Sequence, residues 1–333
     1  MLSAMKIEAF SESRDPDRPD ANEDAWLVVP GGCLAVIDGV TDRTGSRFDG
    51  ATSGRIASRA VAAALKAFVE DPAERAAEPR RLVAALSGAL RAEYARYGLL
   101  EATRSDRSRR FGATLAAAIE IGDVVRFIRI GDSGIRIDGR DVRIDETRVD
   151  RVTSSIRQSV YACLAAEDAA VRAQVARVCI LNGLESLRPE MGGRIDEPGR
   201  IAMRADALER ARRVLPQAAE ADLIALVDGG VVRGQVRYTN VDRPPFGYGV
   251  LDGYEVPDGL IACEDRPRNG LRSIELFTDG YFKIPDAVSL AAWETAFAEV
   301  EREDPEKIGR YPAPKGSVGR MRTDDRTVIV AKA

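Results

Sequence analysis

Apolar positions along the chain follow two rhythms. Short apolar runs closed by Gly, Pro, Asn or Asp predict strands, and longer stretches with apolar residues three to four apart predict helices. The first rhythm gives strands at 6–10 (KIEAF), 25–29 (AWLVV) and Leu34–Ile37 within CLAVIDGVTD. A Pro-Gly-Gly turn between the last two predicts a hairpin. The second rhythm gives Ala-rich helices at 52–69, with Thr52 or Ser53 as N-cap, and at 79–97, entered at Pro79. After a basic loop, TRSDRSRR at 103–110, come FGATLAAAIEIG and three strand-like runs in DVVRFIRIGDSGIRIDGRDVRID, which read as an antiparallel meander. Residues 154–183 and 204–215 read as helices. LIALVDGGVVRGQVRYTN and LIACEDRPRNGLRSIELFTDG read as strand–turn–strand units, around a glycine-rich loop at 244–253 (PPFGYGVLDG). A helix at 288–303, a Pro/Gly-rich loop at 304–320 and a strand at 327–332 complete the chain.

Strands fall in hairpins and helices in blocks, which predicts antiparallel sheets with helices outside rather than alternating βαβ units. No repeat, low-complexity tract or boundary divides the chain. We therefore expect one domain over residues 1–333, with a helical insert at about 154–215.

Several apolar runs end in acidic residues. Asp-Gly occurs at Asp38, Asp49, Asp138, Asp228, Asp252, Asp258 and Asp279, and most of these are ordinary turns. Asp38 and Asp279 differ in ending an apolar strand, where a carboxylate stands at the sheet edge. Asp228 does the same in LIALVDGG, but the second Gly and the strand-like run after it read as a hairpin turn. Glu23–Asp24 precede Asp38, and Asp324–Asp325 open the last strand. These four acidic points are expected to converge on one divalent-metal site.

Composition sharpens that reading. The sequence contains no histidine, which removes Ser-His-Asp and Cys-His catalysis and His-ligated zinc or iron. A metal here must be held by oxygen, which favours Mg²⁺ or Mn²⁺. Cys33, Cys163, Cys179 and Cys263 show no zinc-type pairing and read as small buried hydrophobes in a reducing compartment. A net charge of −4 gives no nucleic-acid or anionic-membrane footprint. No apolar run approaches the ~20 residues of a membrane span, and the N-terminus lacks a signal-peptide pattern, so a cytoplasmic location is expected.

The order of motifs, NEDA, AVIDG, GAT, GDS, FTDG and DDRTVIV, resembles the series of the type 2C metal-dependent (PPM) serine/threonine protein phosphatases, in a divergent bacterial form. The resemblance runs from about residue 7 to 332. It implies an α+β fold, a four-layer α-β-β-α sandwich of two antiparallel sheets flanked by helices. It implies that Glu23, Asp38, the carbonyl of Gly39, Asp279 and Asp324 hold two Mn²⁺ or Mg²⁺ ions, with Asp38 bridging them. Asp132 of GDS would join Asp279 around a third, weaker ion. Asp324 matches the ligand rather than Asp325 because Thr327 stands three residues on. Two dications ~3.5–4 Å apart can share a water, lower its pKa and clamp both ends of an in-line displacement at phosphorus. The implied substrate is phosphoserine or phosphothreonine on a protein, and the resemblance implies a cognate kinase as a further partner.

Two positions depart from the family pattern. The His that many members carry after the first Asp-Gly is Val40 here. The phosphate-binding Arg four residues before Glu23 is Pro19, so Arg18, one position off, is the expected catalytic and substrate-binding arginine, with Arg14 further upstream. Other motifs fail on chemistry. Cys263 to Arg268 has cysteine-phosphatase spacing, but Glu264 and Asp265 would repel phosphate and Pro267 removes an N–H. KGS at 315–317 lacks the upstream glycine of a P-loop. The competing readings are a non-catalytic regulatory or partner-binding module of the same fold and a small-molecule phosphoesterase.

Overall fold

The computed structural model describes residues 2–41, 43, 45–145, 147–185 and 195–333. Asp42, in the CLAVIDGVTD stretch, and 186–194, inside the expected insert, lie outside them. Ten strands form two antiparallel sheets among the described residues. They are β1 (Lys6–Glu12), β2 (Ala25–Val29), β3 (Cys33–Ile37), β4 (Leu115–Ile121), β5 (Val124–Ile130), β6 (Gly134–Ile137), β7 (Asp141–Arg143), β8 (Ala262–Pro267), β9 (Ser273–Phe277) and β10 (Arg326–Lys332). One sheet runs β1-β10-β9-β6-β7 and the other β2-β3-β4-β5-β8.

The alternation of side chains along the central strands builds the layers. On β3, Cys33, Ala35 and Ile37 face a core shared with helices α1 (Ser53–Glu70) and α3 (Pro79–Arg96), which the short α2 (Pro72–Arg75) connects, through residues such as Val61, Leu65, Leu86 and Leu90. Leu34 and Val36 point the other way and meet Ile135, Ile274, Leu276 and Ile329 of the opposing sheet. On β10, Ile329 and Ala331 fill that inter-sheet core, while Val328 and Val330 pack with Phe277, Trp293 and Phe297. The result is a four-layer α-β-β-α sandwich, as the motif series implied. Every central strand is covered on both faces, so its apolar run ends abruptly where the chain leaves the core. That is where the acidic residues stand.

Between β3 and β4 lies also α4 (Leu100–Ser105). Between β7 and β8 the chain forms α5 (Arg148–Cys163), α6 (Ala169–Asn182), α7 (Glu197–Val214) and α8 (Glu220–Gly229), and α9 (Leu290–Glu303) follows β9. Helices α5 to α8 bury their own cluster, including Val152, Ile156, Cys179, Met203, Leu208 and Leu226. This helical stretch starts before and ends after the 154–215 read from the sequence.

Four sequence readings need correction. LIALVDGG is α8, not a hairpin, and Asp228 caps no turn in a sheet; its carboxylate pairs with Arg204 at 2.6 Å. A short apolar run is compatible with either period, and its packing into the helical cluster decides. The Asn-Gly unit at 269–270 joins strands of different sheets, because β8 pairs with β5 and β9 with β6 and β10. The expected meander is divided in the same way, with β4–β5 in one sheet and β6–β7 in the other. Among the cysteines, Cys33 and Cys179 are buried, whereas Cys163 and Cys263 are exposed.

Candidate metal centre

Asp38 is the first residue beyond β3 and Asp279 the second beyond β9. Asp132 lies in the turn from β5 to β6, where the chain crosses between sheets. The ends of three central strands thus bring three carboxylates together. One oxygen from each of Asp38, Asp132 and Asp279 lies within 4.8 Å of the other two.

The backbone around them is locked. The Asp38 carbonyl accepts from the Thr114 N–H at 2.8 Å, and Val40 N–H donates to the Gly112 carbonyl at 2.9 Å. Thr114 and Ser133 share a hydrogen bond of 2.7 Å, which ties GAT to GDS. Gly39 has no room for a side chain, since a Cβ would lie 2.6 Å from the Glu23 carbonyl oxygen and closer still to that of Gly54. Glu23 Oε1 and the Gly39 carbonyl oxygen both border the same point above Gly54, each 2.9 Å from where its Cβ would be. Only glycine at both positions allows the start of α1 to approach so closely. Glu23 Oε1 and the Gly39 carbonyl are therefore brought to the same side of the α1 start.

Asp324 sits before β10, and its Oδ2 accepts from Lys315 Nζ at 2.6 Å. Asp325 points elsewhere: its two oxygens accept from the backbone N–H groups of Arg14 (2.6 Å) and Glu23 (2.7 Å). Asp24 is buried and accepts from the Thr278 hydroxyl at 2.9 Å; Thr278 in turn accepts from the Thr327 N–H. The second acidic residue of each pair thus braces the loops, and the first is left facing the site.

Electrostatics marks the cluster. Burial pushes the carboxyl of Asp38 well above its ordinary range, and Asp24, Asp324 and Asp132 push it further. Asp279 is raised in the same way by burial, then Asp38 and Asp132. Glu23 and Asp132 are also raised, chiefly by burial. Glu23 Oε1 and Asp132 Oδ1 are buried without a hydrogen-bond partner. Mutually repelling carboxylates with unfilled oxygens are what a hard dication satisfies, and the all-oxygen donor set suits Mg²⁺ or Mn²⁺.

The model of the family Protein phosphatase 2C matches residues 17–306. The chain belongs to that family. None of the curated proteins compared with it matches. Solved structures similar to it include the Mycobacterium tuberculosis serine/threonine phosphatase PstP/Ppp, 20% identical, with 98% of each chain covered and a TM-score of 0.43. Stp1 from Staphylococcus aureus is 14% identical, with 99% of this chain and 95% of that one covered and a TM-score of 0.44. The catalytic domain of PstP in complex with two manganese ions is 20% identical, with 98% and 97% covered and a TM-score of 0.42. Among the described residues no helix is long and apolar enough to cross a membrane.

The positions that depart from the expected pattern lie as follows. Arg18 is exposed in the loop before Glu23. Arg14 has its Nε buried without a partner, and its charge acts on Lys315 inside the site. Val40 packs toward Gly112 and Val250 instead of presenting a polar group. The basic segment at 103–110, read as a loop, begins inside α4 and serves the scaffold: Arg110 pairs with Asp252 at 3.0 Å and stacks on Tyr254, and Arg107 donates to the Thr239 carbonyl. PPFGYGVLDG is structural in the same sense, since Leu251 bridges to Ala113.

Three participants escaped the sequence reading. Thr147, just before α5, donates to Asp132 Oδ2 at 2.9 Å. Asp150, in the first turn of α5, is raised to about 7 by burial and then by Asp132. Lys315 donates to Thr41 Oγ1 at 2.7 Å as well as to Asp324. Lys315 lies in KGS, whose only local signal is a P-loop match that fails, and no periodicity marks the other two.

Proposed function

We propose that the chain is a metal-dependent phosphatase that hydrolyses phosphoserine or phosphothreonine on protein substrates. The observation that carries the reading is the convergence of Asp38, Asp132 and Asp279 from three separate strand ends, with unpartnered oxygens on Asp132 and Glu23. Glu23, Asp38, the Gly39 carbonyl, Asp279 and Asp324 would hold two Mg²⁺ or Mn²⁺ ions, with Asp38 between them, and Asp132 would serve a third with Asp279. When bound, such ions activate a water at neutral pH and neutralise the phosphoryl oxygens. The chain's own part is to fix that geometry. The Thr114 N–H and the closed backbone at Gly39 hold Asp38, and the Thr278–Asp24 contact holds the turn that carries Asp279. Among the described residues no cysteine or histidine stands with the cluster to act as a covalent nucleophile, so direct attack by water fits the site.

The substrate contact expected of Arg18 passes to Arg14 in this proposal, because the Arg14 charge acts on Lys315, which holds Asp324, whereas Arg18 is exposed. Arg14→Ala is expected to raise KM for p-nitrophenyl phosphate by about tenfold, the worth of one charge-assisted contact, with a smaller change in kcat. Arg18→Ala is expected to leave both within about twofold, as for an exposed arginine. Equal effects of the two would return the contact to Arg18.

The reading is tested by p-nitrophenyl phosphate hydrolysis with metal-stripped protein titrated with Mn²⁺ or Mg²⁺. Activity is expected to be absent without metal and to saturate with it. That substrate has a good leaving group, so Val40 in place of a proton donor costs little there. The absence of histidine and the apolar setting of Val40 favour the regulatory module as the second reading. It predicts metal binding with no hydrolysis under any of these conditions.

A further inference from the structure

Lys315 is the cation common to the surroundings of Glu23, Asp38, Asp132, Asp150, Asp279 and Asp325; its charge acts on each of them. Its ammonium is held by Asp324 Oδ2 at 2.6 Å and Thr41 Oγ1 at 2.7 Å. The side chain is 31% exposed, so it reaches both the carboxylates and solvent.

The loop that presents it is anchored. The Ser317 N–H donates to the Pro305 carbonyl at 2.8 Å, and the Ala313 N–H to that of Lys307 at 3.1 Å. Lys307 is fully buried and donates to Glu301 at 2.6 Å and to the Asp304 carbonyl at 2.7 Å. Gly316 has no space for a Cβ, because the Arg157 guanidinium and, at 2.5 Å, the Glu306 carbonyl oxygen fill it. Arg157, from α5, donates to that same carbonyl at 2.9 Å. A surface lysine on a free loop would contribute little. This one is held by a packed loop at the carboxylate that opens β10.

We propose that Lys315 is a built-in counter-ion that occupies the Asp324 side of the metal centre in the metal-free protein and is displaced by the first divalent ion to bind there. The inference rests on the metal-centre reading above and adds a control on metal occupancy to it. An ammonium and a dication that share one carboxylate repel each other, so each weakens the other's hold on it. Metal binding therefore breaks the Lys315–Asp324 pair. The broken pair subtracts from the affinity, and the ammonium swings toward Thr41 and solvent. In exchange, the metal-free cluster is spared part of its repulsion.

The test is calorimetric titration of Mn²⁺ into the metal-stripped chain. Lys315→Met keeps the stem and removes the charge, and is expected to bind the first Mn²⁺ about tenfold or more tightly than the parent protein, as the loss of one competing charge implies. Unchanged or weaker binding overturns the proposal and makes Lys315 a support for Asp324 instead. A second measurement needs no variant and stands even if Lys315→Met fails to fold. Acetylation of the parent protein by dilute N-hydroxysuccinimidyl acetate is mapped by mass spectrometry with and without Mn²⁺. Labelling of Lys315 is expected to rise several-fold on adding Mn²⁺, with the exposed Lys6 and Lys66 unchanged. Labelling that stays constant or falls overturns displacement. If the parent protein takes up no Mn²⁺ at all, the metal centre itself fails and the inference falls with it. That outcome is distinct from binding that ignores residue 315.

Discussion

Asp38→Asn is expected to abolish metal-dependent hydrolysis while leaving the fold intact. The substitution keeps the shape of the side chain at the end of β3 and removes its charge. Asp38 is the carboxylate whose environment contains Asp24, Asp324 and Asp132 together, and Asp38 itself heads the charges acting on Asp279. A bridging ligand at that point is worth several kcal/mol of charge stabilisation, so the rate is expected to fall by about 10³-fold or more. Stability is expected to move the other way. In the metal-free protein Asp38 is one of several buried carboxylates that repel one another, and a neutral amide relieves part of that repulsion. The melting temperature of the stripped variant is therefore expected to equal or exceed that of the stripped parent by a few degrees. Hydrolysis of p-nitrophenyl phosphate at saturating Mn²⁺ and differential scanning calorimetry of the stripped proteins check both halves. Retained activity would remove Asp38 from the bridging role. Lost activity with a clearly lower melting temperature would make it a scaffold residue.

The opposite signs follow from how the fold makes the site, and the same cause separates what the sequence discloses from what it hides. Asp38 and Asp279 are legible because a strand covered on both faces reads as a largely apolar run, and the first carboxylate after it stands at the sheet edge. Asp132 is legible only through the order of motifs, since GDS alone is an ordinary turn. The layers are legible too, because alternation on β3 and β10 sends successive side chains into different cores. Pairing is less so. Nothing in LIACEDRPRNGLRSIELF distinguishes a hairpin from two strands parted between sheets, because both sheets accept the same alternation. Asp228 resembles Asp38 over seven residues yet ends a helix, its apolar run being too short to set a period.

Thr147, Asp150 and Lys315 are hidden for another reason. They reach the centre from the helical stretch and from the loop after α9, which have no local relation to the strand ends. Arg157 and Gln158 of α5 donate to the carbonyls of Glu306 and Ile308, and Arg172 of α6 pairs with Glu306 at 2.8 Å. The helical stretch and the Lys315 loop are thereby fastened together. Side chains delivered by such tertiary contacts leave no spacing in the sequence.

The metal-free protein is expected to lose stability as pH rises from about 5.5 to 8, and bound Mn²⁺ is expected to cancel that loss. The sign follows from the direction of the shifts. Asp24, Asp38, Asp279, Asp132, Glu23 and Asp325 are all raised in the folded protein, with burial the largest cause in each. A carboxyl raised on folding holds its proton more tightly in the folded state, so its contribution is fully present below the unfolded value and disappears as pH passes the folded one. For Asp150 the window runs from its ordinary 3.8 to about 7. That group alone is worth on the order of a few kcal/mol across the window. Most proteins with paired carboxylates show the reverse slope on the acid side, which makes the direction diagnostic. A divalent ion needs the deprotonated carboxylates, so its stabilisation grows with pH while that of the protons fades. The gap in melting temperature between Mn²⁺-loaded and stripped protein is therefore expected to widen by several degrees from about pH 5.5 to 8, read by scanning fluorimetry. A stripped protein more stable at the higher pH would mean that the carboxylates are already paired within the chain, leaving no electrostatic demand for a dication.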